Sequence, residues 1–154
     1  MRRNIFEPVI KQSIYNRIDN LNADSKGKWG RLTAAQMIRH LSESNRMATG
    51  EIQMPDRSNV FTRTIVKWMF LQNIKPPGRE KGNIKTFPEV DVLQRGLEIN
   101  DIETEKGNYK TGLEQISSRL TLHPFHTIFG KMTRNDWGCL LYAHADYHLS
   151  QFDR

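Results

Sequence analysis

Apolar residues recur along this 154-residue chain at helical spacing in four long stretches and one shorter one. Phe6, Ile10, Ile14 and Leu21 mark the first, over about residues 5–21, and Asn22-Ala-Asp-Ser-Lys-Gly27 ends it. The second opens after Thr33. Thr33-Ala-Ala-Gln36 has the form of a capping box, in which the threonine hydroxyl accepts from an early backbone N–H and the glutamine reaches back. Met37, Ile38, Leu41 and Ala48 then form one stripe, with His40 on its flank and Gly50 as the stop. Residues 56–71 predict a third, shorter helix tucked against one end, with Phe61, Ile65, Trp68 and Met69 as its apolar side. Pro76, Pro77 and Pro88 exclude a continuous helix from Asn73 to Pro88, and residues 89–100 predict at most a short helical turn.

A further helix is predicted over about residues 103–122, with Tyr109, Leu113, Ile116 and Leu120 on one face. His123-Pro124 should close it, because the residue before a proline is pushed out of the helical region. Phe125 to Met132 reads as a turn, and Thr133-Arg-Asn-Asp136 as the start of the last helix, Trp137 to Phe152. Four long amphipathic helices and one extended connection predict an all-α fold. The expected form is a four-helix bundle with a long crossover connection, plus one or two short extra helices, in a single domain spanning residues 1–154.

The last helix holds the most informative pattern. At about 100° per residue, His144 and His148 lie about 40° apart, and Trp137, Leu141 and Phe152 project within about 80° of the same direction. Both imidazoles therefore belong to the buried arc and need partners. A metal ion shared with a third ligand is one solution, and His40, between the polar Gln36 and Ser44 on its own helix, is the candidate. Three imidazoles would leave a position open to water or substrate, the arrangement of a catalytic zinc site rather than a closed one. Hydrogen bonds to carbonyls, Asp or Tyr would satisfy buried histidines equally well, so the spacing leaves both readings open.

Other candidates are weaker. Asp146 projects away from the histidine pair, and Ala145 stands where a zincin would carry its glutamate. Cys139 lies on the far side of the helix and is not expected to act as a nucleophile. Trp29, Trp68 and Trp137 read as core or lid residues. His123 and His126 could touch substrate or move a proton at a pocket mouth, although a histidine closing a helix C-terminus is the simpler account.

Composition changes this picture only at its edges. Lys and Arg number 23 against 17 acidic residues, a net charge of +6 that favours anionic partners in general. The densest basic run, Lys75 to Lys85, is diluted by proline and glycine without stacking aromatics, which disfavours nucleic acid as a partner. A non-catalytic module that holds an anionic ligand or nucleic acid through that loop is the alternative from outside enzymology. A single cysteine excludes an intramolecular disulfide and suits a reducing, cytoplasmic setting. No apolar run at the N-terminus is long enough for a signal peptide, and Arg63 and Lys67 interrupt the most apolar stretch, so no membrane partner is expected.

Two segments carry a family resemblance: Trp29-Gly-Arg-Leu-Thr-Ala-Ala-Gln-Met-Ile-Arg-His40, and Trp137-Gly through Tyr142-Ala-His-Ala-Asp-Tyr-His148-Leu-Ser-Gln-Phe152. The chain resembles the DinB-like superfamily of metalloenzymes, and within it a branch with a His-Pro-Phe and Phe-Gly-Lys-Met-Thr signature before the last helix. Residues 51–100 match only loosely. In this chain His126, Thr127 and Ile128 separate His123-Pro-Phe125 from Phe129-Gly-Lys-Met-Thr133, halves that adjoin in the signature. The resemblance implies a four-helix bundle with a crossover and a divalent ion, zinc or nickel, on His40, His144 and His148. It also implies a thiol-dependent transferase that uses a low-molecular-weight thiol and a small-molecule substrate, with metal-dependent hydrolysis as the alternative. It leaves the oligomeric state open, a homodimer included.

Overall fold

A computed structural model of the chain describes residues 2–72, 74 and 86–153. The basic run Lys75 to Lys85, on which the alternative reading as an anion-binding module depends, lies outside them. Helix α1 (Pro8–Asp19) starts at a proline, whose fixed φ suits a first turn and whose missing N–H leaves no extra donor unsatisfied. That start falls three residues after the expected one. Ile5 instead ties the N-terminal arm to the last helix, its N–H donating to the Gly138 carbonyl at 3.0 Å.

Helix α2 (Ala34–Thr49) opens on the expected capping box: the Gln36 N–H donates to Thr33 Oγ1 at 3.2 Å, and the Thr33 N–H to Gln36 Oε1 at 2.9 Å. It stops at Gly50, whose φ of 82° is left-handed. A Cβ at Gly50 would come within 2.8 Å of the His123 ring, so both the backbone angle and the contact call for glycine.

A π-helical turn (Thr62–Val66) leads into the short helix α3 (Lys67–Leu71). The apolar side predicted for this segment is corrected here: Phe61, Ile65 and Trp68 are more than half exposed, whereas Leu71 is buried and Val66 and Phe70 pack on the core. The i→i+5 turn takes in an extra residue, which rotates the next residues by about 100° relative to a regular helical count. Past α3, the crossover returns through a 3₁₀ turn (Pro88–Val90) and buries Val90 and Val92.

Helix α4 (Ile102–Ser118) is capped by Asp101, whose carboxylate accepts from the Glu103 and Thr104 N–H groups. Tyr109, Leu113 and Ile116 are buried as expected, but Leu120 is 91% exposed. The helix ends early because Arg134 donates to the Ser117 and Arg119 carbonyls, each at 2.8 Å, and so satisfies its terminal acceptors. Residues 119–124 can then run extended. The segment read as a turn forms a small antiparallel ladder, β1 (Phe125–His126) with β2 (Gly130–Lys131), in which Phe125 pairs with Lys131 and His126 with Gly130. Helix α5 (Arg134–Ser150) begins on a second capping box, between Thr133 and Asp136.

The fold is all-α apart from that ladder. Helices α1 and α2 each pack against both α4 and α5, which closes the four long helices into a ring, and α3 lies against α5. Ile14, Ile18, Met37, Leu113, Trp137 and Leu149 are completely buried between them. Each such side chain stabilises the fold by about 1.5–3 kcal/mol. Among the described residues no helix is long and apolar enough to cross a membrane.

Candidate metal centre

The ring of helices faces α2 toward α5, and the three histidines meet across that seam. His144 Nε2 lies 3.1 Å from His40 Nε2 and 3.0 Å from His148 Nε2. The three rings sit edge to face, with centroids 4.6–4.9 Å apart. His40 and His148 are buried, and His144 is partly open to the neighbouring cavity.

The outer nitrogens explain this arrangement. His40 Nδ1–H donates to the Val90 carbonyl at 3.0 Å, and His148 Nδ1–H donates to Gln151 Oε1 at 2.8 Å. A neutral ring carries one proton, so both Nε2 atoms point their lone pairs inward. A hydrogen on His144 Nε2 lies along only one of the two lines, so lone pairs are left facing one another. A divalent cation satisfies this donor set. Tetrahedral Zn–N bonds of about 2.0–2.1 Å place nitrogens about 3.3–3.4 Å apart, an opening of a few tenths of an ångström from the present spacing. Outer partners that fix the tautomer in this way are characteristic of histidine ligands.

Two further contacts hold those partners. Glu43, completely buried one turn along α2 from His40, pairs with Arg39, Arg46 and Arg95. The Arg95 pair pins the crossover to α2 close to the Val90 carbonyl. On the other side, Gly30 has a φ of 91°, and a Cβ there would lie 3.0 Å from Gln151 Nε2, so glycine leaves the amide its place beside His148. Burial pushes His40 and His144 below the usual imidazole range. For His40 the Val90 bond and the charges of Asp91 and Glu43 oppose that effect; for His144 the other histidines add to it.

The cluster stands between two cavities. One, of about 270 Å³, is mostly apolar, with Val66, Phe70, Phe129, Trp137 and Leu141 in its wall. The other, of about 440 Å³, presents Arg31, Asp91, Gln94 and Gln151. His40, Tyr147 and His148 border both, and Tyr147 packs edge-on to His148 with ring centroids 4.9 Å apart.

The remaining candidates separate clearly. His123 lies away from the cluster and outside the described walls of both cavities; its Nδ1–H donates to the Phe125 carbonyl at 2.7 Å, and its ring covers Gly50. It does not close α4, which ends at Ser118. His126 is buried in the apolar cavity wall, and burial beside Lys67 lowers it to about 4. Asp146 pairs with Arg17 at 2.9 Å. The Cys139 thiol is pushed up by burial, against the pull of Arg2, and is a poor nucleophile. Sequence reasoning missed Val90 and Gln151. Gln151, one turn beyond His148, could have been found from its i+3 spacing; a backbone carbonyl such as that of Val90 has no side-chain signature.

A helical bundle that converges three imidazoles on one point between two cavities defines an all-α protein able to hold a metal ion in its core. The chain belongs to the family described as Protein of unknown function (DUF1569), which matches residues 11–154. No curated protein and no solved structure matches it.

Proposed function

We propose that this single-domain protein is a DinB-like metalloenzyme that holds one divalent transition ion, zinc or nickel, on His40, His144 and His148 and transfers a group between a low-molecular-weight thiol and a small apolar substrate. The observation that supports it is the position of the cluster: His40 and His148 border an apolar cavity on one side and, on the other, one of mixed polarity with Arg31, Asp91 and Gln94 in its wall. Two co-substrates of unlike polarity can therefore reach one point, whereas hydrolysis calls for one organic pocket and water. The chemistry an ion supplies there is that of a Lewis acid, which lowers the pKa of a thiol or water held against it.

This chain's own residues do the rest. Arg31 and Gln94 offer donors to the polar part of a thiol, while Phe70, Phe129 and Leu141 exclude water from the electrophile. A sulfur–carbon bond forms as the bond from that carbon to its leaving group breaks, and the thiol proton passes to solvent. The test is metal analysis of protein purified without chelator, followed by a screen of thiols against aryl and alkyl halides with native protein and His144→Ala. About one ion per chain and a thiol consumption lost in the variant support the reading. Turnover that survives loss of the ion sinks it, and product formed without thiol replaces transfer by hydrolysis.

A further inference from the structure

His126 is not one of the clustered histidines, yet its ring is firmly oriented in the apolar wall. Its Nδ1 accepts two backbone N–H groups, from Ile128 at 3.1 Å and Phe129 at 3.2 Å. A nitrogen that accepts carries no proton, so the neutral ring must carry its hydrogen on Nε2. The ring is held in place by stacking on Phe129, with centroids 4.7 Å apart and planes 15° apart, and by the edge of Trp137 at 5.5 Å. The hairpin bearing it is itself fastened, since the Thr127 hydroxyl donates to the Pro55 carbonyl and the Thr127 carbonyl accepts from the Arg57 N–H. The Nε2–H has no protein partner among the described residues, and the ring borders the cavity. Nε2 is not enclosed by protein, so a molecule that enters the cavity can supply the acceptor that the ring lacks.

We propose that His126 is a substrate-binding residue: a neutral Nε2–H donor, fixed by the β1–β2 hairpin, that selects apolar substrates carrying a carbonyl-type oxygen and orients them in the cavity above the histidine cluster. This rests on the reading of that cavity as the pocket of the electrophilic substrate. At about 270 Å³ it lies at the small end of ligand pockets. With most of the wall apolar, one donor is enough to set which way such a molecule points.

The test uses two probes of nearly equal shape, acetophenone and α-methylstyrene, which differ by an oxygen in place of a methylene. Their dissociation constants are measured by methyl-shift titration on native protein, His126→Asn and His126→Gln. Asparagine places an oxygen where Nδ1 accepts and so keeps the turn, but does not reach the cavity; glutamine reaches it with an N–H and gives up the turn. The preference for ketone over alkene should fall by about 5- to 10-fold in His126→Asn, the loss of one hydrogen bond. It should persist in His126→Gln, even at reduced stability. A preference unchanged in folded His126→Asn, or failure of native protein to take up either probe, overturns the proposal. Metal content read on the same samples separates the two ideas. Native protein without an ion that keeps its His126-dependent preference removes the metal reading alone; one ion in every sample with no change of preference removes this one alone.

Discussion

Helices α2 and α5 carry the histidines, α3 walls the cavity beside them, and the two parts are built on opposite terms. Each histidine helix starts on a reciprocal threonine cap; α2 turns one apolar face into the core, and α5 is buried on nearly all sides. Helix α3 has no side-chain cap, begins on a π-helical turn and leaves Trp68 facing solvent. Where propensity, capping and burial agree, the backbone is fixed well enough to converge three imidazoles to about 3 Å. The three histidines therefore sit on helices whose ends and packing are fixed by capping and burial, and the substrate selection proposed above falls to α3 and the hairpin next to it.

The largest expected effect sharpens this contrast from the hairpin side. His126 lies at about 4 in the folded protein, against about 6.5 for an ordinary imidazole. Below pH 6.5 the unfolded chain takes up a proton that the folded ring refuses, so stability is full above that pH and falls as pH drops toward 4. The loss reaches about 3 kcal/mol from His126 alone, and His40 and His144, also lowered, act in the same direction. Urea titrations from pH 7.5 to 4.5 should show this acid limb, with a shallower one in His126→Asn. An equal slope in both proteins would place the acid sensitivity elsewhere.

Gln151→Leu comes next. It removes the acceptor that fixes the His148 tautomer and should weaken zinc binding about 10- to 100-fold, measured by chelator competition. Unchanged affinity would break the link between the outer hydrogen bond and the cluster. Smaller still, Thr33→Ala and Thr133→Ala should each lower stability by about 1 kcal/mol through loss of a cap. Trp68→Ser on α3 should shift it by no more than about 0.5 kcal/mol, as an exposed position does. If Trp68→Ser costs more than either cap, the two regions are not built as described.

The same contrast explains how much could be read from the chain. Both caps, the Gly50 stop and the buried face of α2 come from local rules that tertiary packing left intact, and with them the approach of His40 to His144 and His148; α5 departs from its expected one-sided burial, since Cys139 on its far side is buried as well. Leu120 escaped because Arg134, far along the sequence, ends α4 ahead of the proline that looked like the stop. Phe61, Ile65 and Trp68 escaped because this segment turns Val66, Phe70 and Leu71 to the core instead, around a π-helical turn that a regular helical count does not anticipate. The cavity beside His126 escaped because a hairpin with two-residue strands leaves no alternating pattern to read. The Val90 carbonyl beside His40 and the orientation of the His126 ring depend on tertiary contacts and become visible only once those contacts are known.

The central claim is that three inward Nε2 atoms hold one divalent ion. X-ray absorption at the zinc edge tests it most directly, on protein loaded with one equivalent of zinc and compared with His148→Ala. The account predicts nitrogen or oxygen scatterers alone at about 2.0–2.1 Å, outer-shell scattering from three imidazoles in native protein and fewer in the variant. A sulfur shell near 2.3 Å, or identical spectra from both proteins, would contradict it.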